Sequence, residues 1–223
     1  MEKKEFYRHA LPHFQQPGQA YFITWSLKDA LPTKAMDCYE IKLNNLHSTI
    51  QILLHNRADN ALLENTKKEY YLTRNKFMKA FDDLLHLQDK AIVNLSNKAN
   101  RDILTQSLAF WEGKKIENYA YCVMSNHVHW VLRLYDIDES GNAVYLQDIL
   151  QSVKRFSATE INKVEGLKGS LWQKESYDTT IRNDKHLYSA IDYTINNPVR
   201  AGLVDHWYDW NGTKLNEDIV EYY

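Results

Sequence analysis

Four side chains in this sequence could do chemistry together. His127 and His129 flank Val128. In extended backbone, residues i and i+2 share a face, so both imidazoles can converge on one ion while Val128 turns into the core. Imidazole is a borderline ligand that several divalent metals accept. The same spacing also suits two partly exposed strand histidines that bind nothing. Tyr193 and Asn197 lie four residues apart, which on a helix stacks a phenol one turn from an amide. With Leu187 at zero and about 100 degrees per residue, Leu187, Ile191, Ile195 and Tyr188 fill the arc from zero to about 100 degrees, the expected buried stripe. His186, Tyr193 and Asn197 fall at about 240 to 280 degrees, on a separate polar face. Such a phenol and amide oxygen could face one metal-bound phosphate. The competing reading is a Tyr that braces a sheet, with Asn197 ending a helix before Pro198. His186 could move a proton or touch a phosphate, or it is a surface residue.

The elements that must hold these groups follow from periodicity. Ala20 to Leu27 is aromatic and β-branched and reads as a first strand. From about Thr33 to Lys114 apolar residues recur at helical spacing, as in Leu43, Leu46, Ile50 and Leu53. This stretch, taken as 34–112, is expected to be a helical insertion. Glu117 to Val123 and Val128 to Leu134 read as two strands around Met124-Ser125-Asn126. A helix is expected from about Leu146 to Lys163, with a core stripe of Leu146, Ile149, Leu150, Val153 and Ile161. Its other side carries Gln151, Lys154, Arg155 and Asn162. Short extended segments follow between Ser170 and Ile181. Asn183 or Asp184 can cap a last helix that runs to about Asn197, where Pro198 stops it. The expected fold is α+β, a single domain with a mainly antiparallel sheet and an acidic tail over 205–223.

Composition removes several classes. The chain has 223 residues with seven glycines, well below the roughly 7% of an average protein. No glycine falls into a G-x-G-x-x-G or G-x-x-x-x-G-K-[ST] pattern, which argues against a nucleotide-fuelled enzyme. Cys38 and Cys122 form no C-x-x-C pair, so neither a zinc knuckle nor a disulfide framework is indicated. The start lacks the apolar core of a signal peptide, and no apolar run approaches a membrane span. The chain reads as soluble and cytoplasmic. Formal charge is −2. Residues 150–200 nevertheless hold eight Lys/Arg against six Asp/Glu, whereas 201–223 hold one Lys against five acids. A basic face is permitted, not announced.

The segments in combination are more specific than any one of them. His13-Phe14 through Gly18, Tyr21-Phe22-Ile23-Thr24 and Ser26 through Pro32 come first. Then come Tyr121 through His129, Val153-Lys154-Arg155-Phe156-Ser157, Leu171-Trp172-Gln173 and Tyr193 through Val204. In this order they resemble the single-tyrosine transposases of the His-hydrophobic-His (HUH) endonuclease superfamily. Within these they look most like the REP-associated tyrosine transposases. The resemblance spans nearly the whole chain apart from the helical stretch.

It implies a ferredoxin-like antiparallel sheet flanked by helices, and residue roles that carry over singly. His127 and His129 match the metal-binding pair, and Tyr193 matches the nucleophile. Asn197 matches a polar residue, often Gln in relatives, that completes the metal site. The implied reaction cleaves single-stranded DNA at hairpins through a 5′-phosphotyrosine link with Mg²⁺ or Mn²⁺. Lys154, Arg155, Arg182 and Arg200 are expected at the DNA backbone, with solvated charge as the plain alternative. Trp172 and Phe156 read as core rather than base-stacking platforms. Tyr177 is a rival nucleophile. The expected partner is hairpin DNA, with no membrane, and the expected assembly is a monomer or homodimer. Competing readings are a non-catalytic hairpin-binding protein and a water-based metal hydrolase.

Overall fold

The structure is a computed structural model that describes residues 6–8, 12–31, 33–56, 59–87 and 91–222. Pro32, Tyr223 and the side chains of His13 and Phe14 lie outside the described residues. The chain divides into two units. One is helical, spanning residues 31–88 with a short piece at 8–12. It contains α1 (Thr33–His55) and α2 (Asn60–Leu87), whose apolar sides bury Leu43, Ile50, Leu63, Phe77, Phe81 and Leu85. The other unit carries the sheet. The helix α3 (Lys98–Ala109) groups with the sheet unit, although it falls within the 34–112 stretch.

Near the N-terminus, β1 (Phe6–Arg8) and β2 (Pro12–Phe14) form a small separate pair. The main sheet has five strands: β3 (Ala20–Ser26), β4 (Ile116–Val123), β5 (His127–Leu134), β6 (Tyr177–Thr180) and β7 (Thr213–Leu215). Their order is β6-β3-β5-β4-β7, and every pairing is antiparallel. With α3 leading into β4 and α4 (Leu146–Glu165) leading from β5 to β6, the first four of these strands follow the βαββαβ plan of the ferredoxin-like fold. The expected α+β antiparallel sheet flanked by helices is present. No helix among the described residues is long and apolar enough to cross a membrane.

Alternation along the strands gives the sheet two different faces. On one, Tyr21, Ile23, Trp25, Val128, Trp130 and Leu132 are all fully buried. Trp25 meets Trp130 and Trp172 edge to face, and the Trp172 indole donates to Lys154 O and Ser157 Oγ of α4. Helix α4 buries the stripe expected for it, with Ser157 added, and Gly166 caps it in the left-handed region at φ 66°.

The other face receives α5 (Asp184–Ile195). Asn183 caps this helix by accepting from the His186 N–H. Ala190, Ile191 and Ile195 pack there against Ala120, Val131 and Leu215, with Leu187 half-buried beside them. Tyr188, expected in the buried stripe, is instead 43% exposed. Thr194 takes a buried place, bonding back to Ala190 O. The helix also ends differently from expectation. It stops at Ile195, and Pro198 opens a four-residue helix, α6 (Asn197–Arg200). Proline has no N–H for the i−4 carbonyl but is well suited to a first turn, so it favours the start of α6 over the continuation of α5.

Candidate metal and nucleophile site

The strand register builds the site. His129 lies opposite Thr24, and His127 opposite Ser26, so the two histidines share the α5 face with Phe22 and Thr24. Both are 1% exposed, which excludes the reading of them as partly exposed strand residues. The His129 Nδ1 lies 2.8 Å from Thr24 Oγ1, and the His127 Nδ1 lies 2.6 Å from Asn126 Oδ1. The Asn126 oxygen can only accept, so Nδ1 of His127 carries the proton. The Thr24 hydroxyl can accept in the same way from His129. With both outer nitrogens engaged, the two Nε2 atoms face each other at 3.0 Å.

That arrangement fits a cation. Metal-binding histidines characteristically give their second ring nitrogen to an oxygen acceptor, which sets tautomer and orientation. Two Nε2 lone pairs brought together repel unless a proton or positive ion lies between them. Cys122 lies opposite His129 on β4, but burial pushes its thiol up to about 12. Its sulfur instead meets Met124 Sδ and the Thr213 hydroxyl. The donors that face each other here are the two imidazole nitrogens.

Tyr193 stands over this pair. Its ring lies 5.4 Å from the His129 ring and 5.7 Å from that of Phe22, nearly perpendicular to both, while Phe22 stacks on His129 at 5.8 Å. The Arg200 guanidinium covers the Tyr193 ring at 4.6 Å from its centroid. Asn197, fully buried, begins α6 directly after the helix that carries Tyr193. Tyr177, the rival nucleophile, is buried in β6 opposite Thr24.

The structure gathers His127, His129 and Tyr193 and puts the four basic residues in different settings. Arg155 and Arg182 are exposed. Lys154 instead donates to Gln173 O and Ser176 Oγ, both at 2.9 Å. Burial holds its amine down to about 8, against a smaller opposing pull from Glu175. His186 is half-buried in the first turn of α5. Burial and then the Arg182 charge hold its imidazole below the usual value. Trp172 is core, as expected, whereas Phe156 is 44% exposed. Sequence reasoning missed Thr24 and Asn126 as partners of the histidines. The polar pair Thr24 and Ser26, two apart in an otherwise apolar strand, was the available signal for Thr24.

No protein-family model matches the chain. A Haemophilus influenzae protein assigned to the REP-associated tyrosine transposases is 28% identical over 107 residues, covering 46% of this chain and 61% of that protein. An Escherichia coli REP-associated tyrosine transposase is 25% identical over 135 residues, covering 57% of this chain and 76% of the relative. Over the matched residues the chain is similar to REP-associated tyrosine transposases. It spans about three-fifths of the Haemophilus relative and three-quarters of the Escherichia one. The solved structure of a REP-associated tyrosine transposase bound to a REP hairpin aligns with 96% of this chain and 82% of its own, at 16% identity and a TM-score of 0.46.

Proposed function

We propose that this chain is a metal-dependent single-strand DNA endonuclease and transposase that nicks and rejoins DNA beside REP-type hairpins through a covalent 5′-phosphotyrosine. One observation carries the reading. The His127 and His129 Nε2 atoms meet at 3.0 Å with their outer nitrogens engaged, and the Tyr193 ring stands beside His129. The REP-type target is taken from the names of the relatives, and its hairpin form from the resemblance of the sequence motifs.

His127 and His129, with the Asn197 amide oxygen, would hold Mg²⁺ or Mn²⁺. Such an ion, when bound, polarises the scissile phosphate and offsets the charge that develops on it. The remaining work belongs to the chain. Tyr193 Oη attacks phosphorus, forming the Oη–P bond and breaking the bond to the 3′ oxygen. That oxygen leaves as a 3′-OH with a proton from solvent, and the phenol gives its own proton to solvent. A 3′-OH then attacks the phosphotyrosine, making a new phosphodiester and returning the proton to Tyr193. The bond energy stays in the covalent link, so no nucleotide is consumed, consistent with the missing glycine loop. Phe22 and His129 limit the swing of the phenol, which keeps the attacking oxygen near its target. Arg155 and Arg182 meet the DNA backbone in this reading. Lys154 acts through the 173–176 loop.

The test incubates the protein with labelled hairpin-bearing single strands and Mn²⁺ or Mg²⁺ and looks for a denaturation-resistant protein–DNA adduct. Wild type forms it, while Tyr193→Phe and a chelator each abolish it. Cleavage that survives Tyr193→Phe would instead identify a water-based hydrolase. Hairpin binding with no adduct under any condition would identify a non-catalytic binder.

A further inference from the structure

We infer that Arg200 is a positioning residue for the nucleophile, holding the Tyr193 ring by its guanidinium face; this rests on the nuclease reading above. Arg200 follows Tyr193 by seven residues, and in one unbroken helix it would sit about two turns away, roughly 10 Å along the axis. The break before Pro198 changes this. Helix α6 restarts at Asn197, and the Arg200 Cζ comes to 4.6 Å from the Tyr193 centroid, inside the range of a cation–π contact. The guanidinium is steadied from the other direction by Asp192, whose Oδ2 lies 3.8 Å from Nη2. That carboxylate is itself fixed, because its Oδ1 accepts from the Asn196 amide at 2.9 Å.

The phenol is thus bounded by Phe22, His129 and Arg200. Phe22 and His129 come from the sheet and are set by strand register, whereas Arg200 comes from the helix break. A side chain that must attack in line at phosphorus gains from each restraint, since a misplacement of about 1 Å can cost on the order of 100-fold in rate. The Arg200 side chain is also 49% exposed. Part of its positive charge therefore reaches solvent where a phosphate would approach the phenol. A lysine would keep the charge but lose the planar face, so the two substitutions separate the roles.

The experiment compares wild type with Arg200→Lys and Arg200→Gln on one hairpin-bearing strand with Mn²⁺. It reads the dissociation constant, the single-turnover rate of adduct formation at saturating DNA, and the ¹⁹F resonance of 3-fluorotyrosine placed at position 193 in the DNA-free protein. We expect Arg200→Lys to bind within about threefold of wild type. Its adduct rate should fall at least about tenfold, and its resonance should shift. A wild-type rate and an unmoved resonance in Arg200→Lys overturn the role of Arg200 alone. That role is equally overturned if Arg200→Gln loses only affinity, with a salt slope reduced by about one, because Arg200 is then a phosphate contact. Absence of any wild-type adduct overturns the nuclease reading, and this role with it.

Discussion

Replacing Lys154 with methionine should remove a stability increment that appears only at alkaline pH. The ammonium is packed between α4 and the 173–176 loop, and burial lowers the amine from 10.5 to about 8. A lysine whose folded value is depressed binds its proton less tightly in the folded protein than in the unfolded chain. The penalty is fully present below about pH 8, and stability is regained as pH rises through 8 toward 10.5. The neutral amine loses no partner, since it still donates to Gln173 O and can accept from the Ser176 hydroxyl. Linkage between the two values gives a gain of roughly 2–3 kcal/mol between pH 7 and pH 10 for the wild type relative to Lys154→Met.

The assay is urea unfolding of both proteins at pH 7, 8, 9 and 10, read as the difference between them. Subtraction removes the opposing alkaline trend of groups whose burial raises them, such as Tyr21, Tyr121 and Cys122. At pH 7 the variant should be close to wild type in stability, because it sheds a buried charge while leaving two oxygens with one partner fewer. Two parallel curves, differing by a constant from pH 7 to pH 10, would refute the reasoning. Lys154 would then titrate as a solvated amine.

Other perturbations have comparably direct readouts. Thr24→Val and Asn126→Ala each remove the oxygen that orients one histidine. Each should weaken Mn²⁺ binding, measured calorimetrically on the DNA-free protein, by roughly 10- to 100-fold with little change in melting temperature. Gly212→Ala should lower the unfolding free energy by about 1–3 kcal/mol, because a Cβ there would collide with Val123 O and the Trp210 indole. Trp172→Phe leaves Lys154 O and Ser157 Oγ without their indole donor. It should cost about 2 kcal/mol by chemical denaturation, with the aromatic circular-dichroism signal reduced.

Much of this architecture is written in local periodicity. β3, the β4–β5 pair, α4 and α5 each lie within a residue or two of the expected limits, because each alternates or repeats over at least seven residues. β7 is not legible in the same way, since three residues carry no period and Thr213–Leu215 becomes a strand only by pairing with β4. Tyr188 misleads because a helical wheel gives angles but not where the neighbouring sheet ends. The Pro198 boundary reads as a stop, and only the geometry reveals a second short helix. At the site, the pair His127 and His129 is visible in the chain, whereas their oxygen partners are not equally so. Asn126 is the adjacent residue, but Thr24 lies 105 positions away, and only strand register joins it to His129.

That register explains why the chemistry sits where it does. Along β3 one face runs Phe22, Thr24, Ser26, and opposite them β5 presents Val131, His129, His127. The face therefore changes from apolar to polar within three pairs. Helix α5 packs its Ile191 and Ile195 on the apolar end, while Tyr193, between them in the chain, lies beside Phe22 and His129 where that face turns polar. A slip of one residue between β3 and β5 would turn both imidazoles into the opposite face. There they would meet Trp25 instead of Thr24, and Trp130 would be driven out of a layer in which it is fully buried. A large aromatic buries on the order of 200 Å², so at about 25 cal/mol/Å² expelling Trp130 alone forfeits roughly 5 kcal/mol, a large share of the stability of a domain. The tryptophan face thus fixes the geometry of the histidine face without touching a ligand, and substitutions that loosen it should damage metal binding before they damage DNA binding.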